Sequence, residues 1–229
     1  MTGSAALGRL IDALPADKLD QVLTHTSWAS DRADSYERLE FLGDSVLELA
    51  IAGELYARFP DASEGRLAKI RAHVVSRHSC AGIARELGLG ERLVARARDV
   101  PEPELQRLAR SRNVLAAVLE AAIAAVYLEH GFPAVERPIV EAFDERIDYA
   151  RSSHVDNKTE LQEALARTGR QVQYLVLAME GPAHDRRFVC AAVIDGEQLG
   201  AGRGSTKKAA EQEAARQTLE KLGIVPVTL

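Results

Sequence analysis

Hydrophobic positions along this chain follow a helical repeat for two-thirds of its length and then change period. Residues 5–23 place Leu7, Leu10, Ile11 and Leu14 on one stripe, which predicts two short helices broken at Pro15, the second capped by Asp17. A long helix is predicted from Glu37 to about Arg58, ended by Phe59-Pro60-Asp61. Its Leu39, Leu42, Val46, Leu49, Ala50 and Gly53 form the core side. Asp61 with Glu64 reads as a capping signal for a helix to about Val75. Another spans Ser76–Leu87, closed by Gly88 and Gly90. Residues 96–112, charged and carrying Pro101 and Pro103, read as a mobile connection or a short irregular helix. From Arg112 to Glu129 the pattern is apolar all round, so that helix is expected inside the domain. A further amphipathic helix follows Pro138, with Ile139, Val140, Phe143 and Ile147 on its buried face.

Beyond a polar segment at residues 151–156, read as a linker, the period becomes two. Thr159 reads as the cap of a helix with Leu161, Ala164 and Leu165, ended by Gly169. Residues 171–179 place Val172, Tyr174 and Val176 on one face of a strand; residues 187–194 do so with Phe188, Cys190, Ala192 and Ile194. Asp195-Gly196 marks a tight hairpin, a short third strand follows, and Gly202-Arg203-Gly204-Ser205 opens a last helix to about Leu222. The predicted architecture is an all-α domain at 1–150 and a small α-β-β-β-α domain at 157–225.

Charge and composition refine this picture. The net charge of −5 argues against nucleic acid as a partner of the chain as a whole. From Asp156 onward, however, Lys and Arg equal Asp and Glu, so the whole deficit lies in the helical part. Cys80 and Cys190 are far apart and fit neither a disulfide framework nor a zinc site, which suits a reducing cytosol. No signal peptide is evident, and the apolar run near 114–128 reads as too short to span a membrane. A soluble, cytoplasmic protein without membrane contact is expected.

Three features carry chemistry. Glu37, Glu40, Asp44 and Glu48 are spaced 3, 4 and 4 residues apart, which at about 100° per residue gathers them within roughly 80° of the helix surface. Crowded carboxylates repel, so solvent, basic partners or a hard divalent cation must offset them. Glu120 is the one charged residue in the apolar run from Asn113 to Leu128. Inside a domain it must be protonated, paired with a base or bound to a metal. Lys207 and Lys208 stand in the first turn of the last helix, where cations oppose the macrodipole but free N–H groups favour phosphate. Arg203, just before them, adds to that basic edge.

Two motifs bring in a resemblance. Glu37-Arg38-Leu39-Glu40-Phe41-Leu42-Gly43-Asp44-Ser45 resembles the signature of bacterial ribonuclease III. The stretch from Thr159-Glu160-Leu161-Gln162-Glu163 through Gly204-Ser205-Thr206-Lys207-Lys208-Ala209-Ala210-Glu211 resembles a double-stranded-RNA-binding domain. With Thr24-His25, the similarity covers essentially the whole chain in that family's domain order.

The resemblance implies an all-α nuclease domain that forms a homodimer, with Phe41 at the contact, around a valley for duplex RNA. It implies Glu40, Asp44 and Glu120 as metal ligands, and Asp44, Glu120, Glu37 and Glu64 as the catalytic set. Mg²⁺, with Mn²⁺ able to replace it, would assist phosphodiester hydrolysis to 5′-phosphate and 3′-hydroxyl ends. No small-molecule cofactor is implied. Ribosomal RNA precursors and other structured RNAs would be the substrates. Gln162 and Glu163 would face one minor groove, the loop with Pro182 and His184 a second, and Lys207 and Lys208 the phosphates between.

One departure matters. The family has an Asp three residues before the Glu matched by Glu120, and here that position is Ala117. The chain is then an engineered inactive variant, a natural weakened or non-cleaving homologue, or one in which a nearby group such as Asn113 substitutes. A non-catalytic dimeric scaffold that binds duplex RNA is the alternative expectation.

Overall fold

The structure, a computed structural model, describes residues 3–97, 99–153, 157–182 and 185–224. It divides into two compact units, Met1–His154 and Val155–Leu229. The described part of the first unit is helical: α1 (Ala5–Asp12), α2 (Ala16–Val22), a 3₁₀ turn at Arg32–Asp34, α3 (Glu37–Arg58), α4 (Glu64–Val74), α5 (Arg77–Glu86), α6 (Leu89–Arg96), α7 (Glu102–Arg110), α8 (Arg112–His130) and α9 (Phe132–Ser153).

The apolar helix lies where its composition requires. Every residue of α8 from Val114 to Val126 is buried, Glu120 among them. By length and composition α8 could cross a membrane, contrary to the expectation that the run is too short. Its packing inside this unit, chiefly against α3 and α5, explains its apolarity instead. On α3, Leu39, Val46, Leu47, Ala50, Ile51 and Leu55 face the core. Leu49 and Gly53, expected there, are exposed; Leu49 instead joins Phe41 and Tyr56 on an outward stripe. The far end of α3 is tied down by Arg58, which donates to Asp144 at 2.7 Å and Asp148 at 3.0 Å on α9.

Several local expectations need correcting. Pro15 and Ser63, not Asp17 and Asp61, hold the N-cap positions of α2 and α4. The charged stretch after residue 96 forms a regular helix, α7, whose Leu105 and Leu108 are buried. Helix α9 begins at Phe132 and runs through Pro138. Fully buried Val135 and Ile139, one turn apart around that proline, offset the roughly 3 kcal/mol an interior proline costs. Residues 151–153, read as linker, are helical, and 154–156 lie outside the described residues.

In the second unit, α10 (Asn157–Ala166) precedes β1 (Val172–Glu180), β2 (Arg187–Ile194) and β3 (Glu197–Gly204), and α11 (Lys207–Lys221) closes it. The sheet is antiparallel in the order β1-β2-β3, with Val172 opposite Ile194 and Cys190 opposite Gly202. Asp195 and Gly196 both have positive φ, 53° and 84°, as the two-residue hairpin demands. Val176, in register opposite Cys190, is exposed contrary to expectation, and an irregularity between Val176 and Ala178 then breaks the alternation of β1. Thr159 lies inside α10 rather than at its cap, and the glycine-rich run belongs to β3. Thr206 is the cap of α11, its side chain accepting from Ala209 N at 3.1 Å. A Cβ at Gly202 would stand 2.3 Å from Ala210 O and Ala214 N, so glycine lets α11 lie directly on β3. Leu161, Leu165, Ile194, Ala215 and Leu219 form the core beneath.

Candidate functional site

The first site begins at a helix crossing. A Cβ at Gly43 would stand 1.7 Å from the backbone oxygen of Glu120, so α3 and α8 meet backbone to backbone at this point. Glu40 and Asp44, one helical turn apart and flanking Gly43, are thereby brought to Glu120. The N-terminus of α5, where the Ser76 side chain accepts from Ser79 N at 3.3 Å, adds a third wall. The result is a cavity of about 310 Å³ lined by Glu37, Glu40, Phe41, Asp44, Val75, Arg77 and Glu120.

Its electrostatics are those of crowded acids in partial burial. The carboxyl of Glu120 is pushed up to about 7, first by burial and then by the charge of Asp44, with Glu40 adding and Arg77 opposing. Glu37 shifts the other way, because Arg32 donates to it at 2.5 Å and holds its carboxyl below the ordinary range. Arg77 reaches Glu40 at 3.5 Å. Behind the acids, burial and then the charges of Glu120 and Asp44 raise the thiol of buried Cys80 to about 12, so it stays protonated.

Among the described residues, no three His, Cys, Asp or Glu side chains are already drawn together at metal-holding geometry. The donor set nevertheless fits a hard divalent cation. Four carboxylates, those of Glu37, Glu40, Asp44 and Glu120, line one cavity, and burial beside Asp44 raises the carboxyl of Glu120 to about 7.

The remaining nuclease candidates lie apart from this group. Glu64 occupies the first turn of α4, a favourable place for an acid, and lines a separate cavity with Tyr56, Leu67 and Arg71. Ala117 is buried on α8, three residues before Glu120, and Asn113 is exposed. Neither lines the carboxylate cavity. Phe41 is 80 % exposed at its rim. Arg32 and Arg77 were missed from the sequence. The only local signal at Arg77 is its place just after a helix-capping serine, and its approach to Glu40 spans 37 residues.

On the second unit, the candidates are surface side chains. Gln162 and Glu163 are exposed on α10. Lys207 and Lys208 are exposed in the first turn of α11, with Lys207 3.8 Å from Glu211. Arg203, on β3, lies 3.8 Å from Glu180. His184 lies outside the described residues.

Comparison with known proteins finds a family for each unit. A Ribonuclease-III-like family profile matches residues 16–146, and a double-stranded RNA binding motif matches residues 157–222. The chain is 45% identical to ribonuclease 3 of Symbiobacterium thermophilum over 206 residues, 87% of this chain and 85% of that protein. It is 38% identical to ribonuclease 3 of Corynebacterium glutamicum over 240 residues, 97% and 95% respectively. Among solved structures, the nuclease domain of ribonuclease III from Campylobacter jejuni matches with a TM-score of 0.53 and 31% identity. That match covers 62% of this chain and 96% of the other, which is described for flexibility in a region involved in dimer formation. A helical nuclease domain followed by a double-stranded-RNA-binding domain is thus the organisation of this chain, and the chain belongs to the ribonuclease III family.

Proposed function

We infer that this chain is an endoribonuclease that cuts double-stranded RNA by metal-assisted hydrolysis. The observation that carries the reading is the meeting of Glu120 with Asp44 and Glu40 at the Gly43 crossing. Burying an acid beside two others destabilises the fold unless a cation compensates, and a protein with no use for that cation would have little reason to keep them. The scaffold alternative is therefore not favoured. The family is metal-dependent; we assign Mg²⁺, with Mn²⁺ able to replace it, and Glu40, Asp44 and Glu120 as the ligands. When bound, the ion supplies Lewis acidity toward a phosphoryl oxygen and lowers the pKa of a water. Glu120 contributes a carboxyl whose ionised form such a charge favours. Glu37, already paired with Arg32, lines the same cavity and orients what enters it.

Duplex RNA is held by the second unit. Gln162 and Glu163 meet one minor groove, the loop with Pro182 and His184 the next, and Lys207 and Lys208, with Arg203 beside them, the phosphates between. Products carry 5′-phosphate and 3′-hydroxyl ends. Ribosomal RNA precursors and other structured RNAs in the cytoplasm are the substrates we assign. The protein acts as a homodimer through the outward stripe of Phe41, Leu49 and Tyr56, whose side chains are 80 %, 58 % and 77 % exposed. Sedimentation of Phe41→Asp is expected to show monomer where the unaltered chain is dimeric; an unchanged dimer would place the contact elsewhere.

Ala117 removes a carboxylate from beside Glu120, so cleavage requires more metal than is usual in this family. The test is a gel assay of perfect duplex RNA across a titration of Mg²⁺ and of Mn²⁺. Cleavage that saturates only at high metal, and at lower metal in Ala117→Asp, is the expected result. No cleavage at any concentration of either ion would overturn the reading.

A further inference from the structure

The carboxylate cavity contains a cation of its own. Arg77 opens α5 directly after the Ser76 cap, and this turn carries its guanidinium to α3. One nitrogen stands 3.5 Å from Glu40 Oε1, while 53% of the side chain remains exposed. The fork is thus anchored at one corner and otherwise free. Arg32 already answers Glu37 at the rim, which leaves Glu40, Asp44 and Glu120 facing a single guanidinium. A phosphodiester entering a cavity of carboxylates is repelled unless positive charge stands there. Arginine suits that task, because its planar donors match two phosphate oxygens at once.

We propose that Arg77 is a phosphate-binding residue of the cleavage site, held by Glu40 in the free protein and turned onto a non-bridging oxygen of the RNA backbone when the duplex enters. The inference rests on the cleavage reading above. It has a consequence for the free protein, since guanidinium and divalent cation compete for the same Glu40 oxygen. Removing Arg77 therefore strengthens metal binding while weakening the reaction. A side chain that merely supports the fold would move both in the same direction or neither.

The experiment compares the full chain with Arg77→Ala and Arg77→Lys. Mn²⁺ affinity is read without RNA by electron paramagnetic resonance, and kcat and KM for duplex RNA are read at saturating Mn²⁺. Arg77→Ala is expected to bind Mn²⁺ about threefold to tenfold more tightly and to cut between about tenfold and a hundredfold more slowly. Arg77→Lys is expected to restore the weaker Mn²⁺ binding but only part of the rate, because lysine lacks the bidentate fork. Unchanged or weaker Mn²⁺ binding by Arg77→Ala overturns the proposal, and so does an unchanged cleavage rate. If the unaltered chain does not cut at all, the functional reading fails separately, and the Mn²⁺ arm still decides whether Arg77 competes for Glu40.

Discussion

The two units of this molecule place their chemistry in opposite settings. In the nuclease unit the candidate groups sit at a crossing of buried helices, where Gly43 meets the Glu120 backbone and the Glu120 carboxyl is held near neutral by burial. In the RNA-binding unit Gln162, Glu163, Arg203, Lys207 and Lys208 all stand exposed on elements whose cores lie underneath. Cleavage needs charges forced close together in low dielectric, whereas shape recognition of a duplex needs charges spread over a surface. Function and fold are therefore entangled in the first unit and nearly independent in the second.

The largest effect that would sharpen this contrast is expected at Glu120. Glu120→Gln is isosteric and removes the charge, so kcat/KM on duplex RNA is expected to fall by about 10²–10³-fold, while melting shows the nuclease unit at least as stable. Equal cleavage by this variant would break the assignment. Next come the two close-packed glycines. Gly43→Ala is expected to destabilise the nuclease unit by about 3 kcal/mol or more, since backbone rather than a flexible side chain blocks the new methyl. Gly202→Ala is expected to cost about 1–3 kcal/mol in the RNA-binding unit alone. Calorimetry of the full chain, with two transitions assigned, separates the two outcomes.

A smaller effect concerns pH. Because the folded-state pKa of Glu120 is raised to about 7, the folded protein binds more protons than the unfolded one between about pH 4.3 and 7. That contribution to stability is fully present below the unfolded pKa and is lost as pH rises through 7. In chelator, the nuclease unit is expected to lose up to about 2 kcal/mol across this window, after allowance for solvent screening at the cavity mouth. Glu120→Gln should flatten the loss; an identical slope in both proteins would assign it to another group. The smallest changes in stability are expected at Lys207→Ala and Lys208→Ala, each within about 0.5 kcal/mol. Each nevertheless lowers the salt dependence of duplex binding by about one unit of logarithmic slope. Filter binding at several salt concentrations measures this.

Much of this was legible from spacing alone, for reasons particular residues make clear. The acidic row on α3 and the apolar sheath around Glu120 are local patterns, and helical periodicity turns them directly into faces. The exposed lysines of α11 are equally local. Periodicity failed where tertiary packing overrode it: Pro138 lies within a helix because its neighbours are buried, and residues 102–110 form a helix because Leu105 and Leu108 dock on the core. Glu48 ends as a partly exposed member of the acidic row, outside the cavity. Glu64, grouped with the other acids by resemblance, lines a separate cavity within one chain.

By itself the sequence determined the two-unit organisation, the acidic row within the nuclease signature, the single acid in the apolar helix and the basic edge of the RNA-binding unit. These depend on residue types at short separations. Only the tertiary structure decided which acids share a cavity, that Arg32 neutralises Glu37 and that Arg77 stands beside Glu40. The local sequence gives little sign of these pairings, because the closeness of α3, α5 and α8 is set by how their buried faces pack. A missing side chain at Gly43 is the detail that lets them come so near.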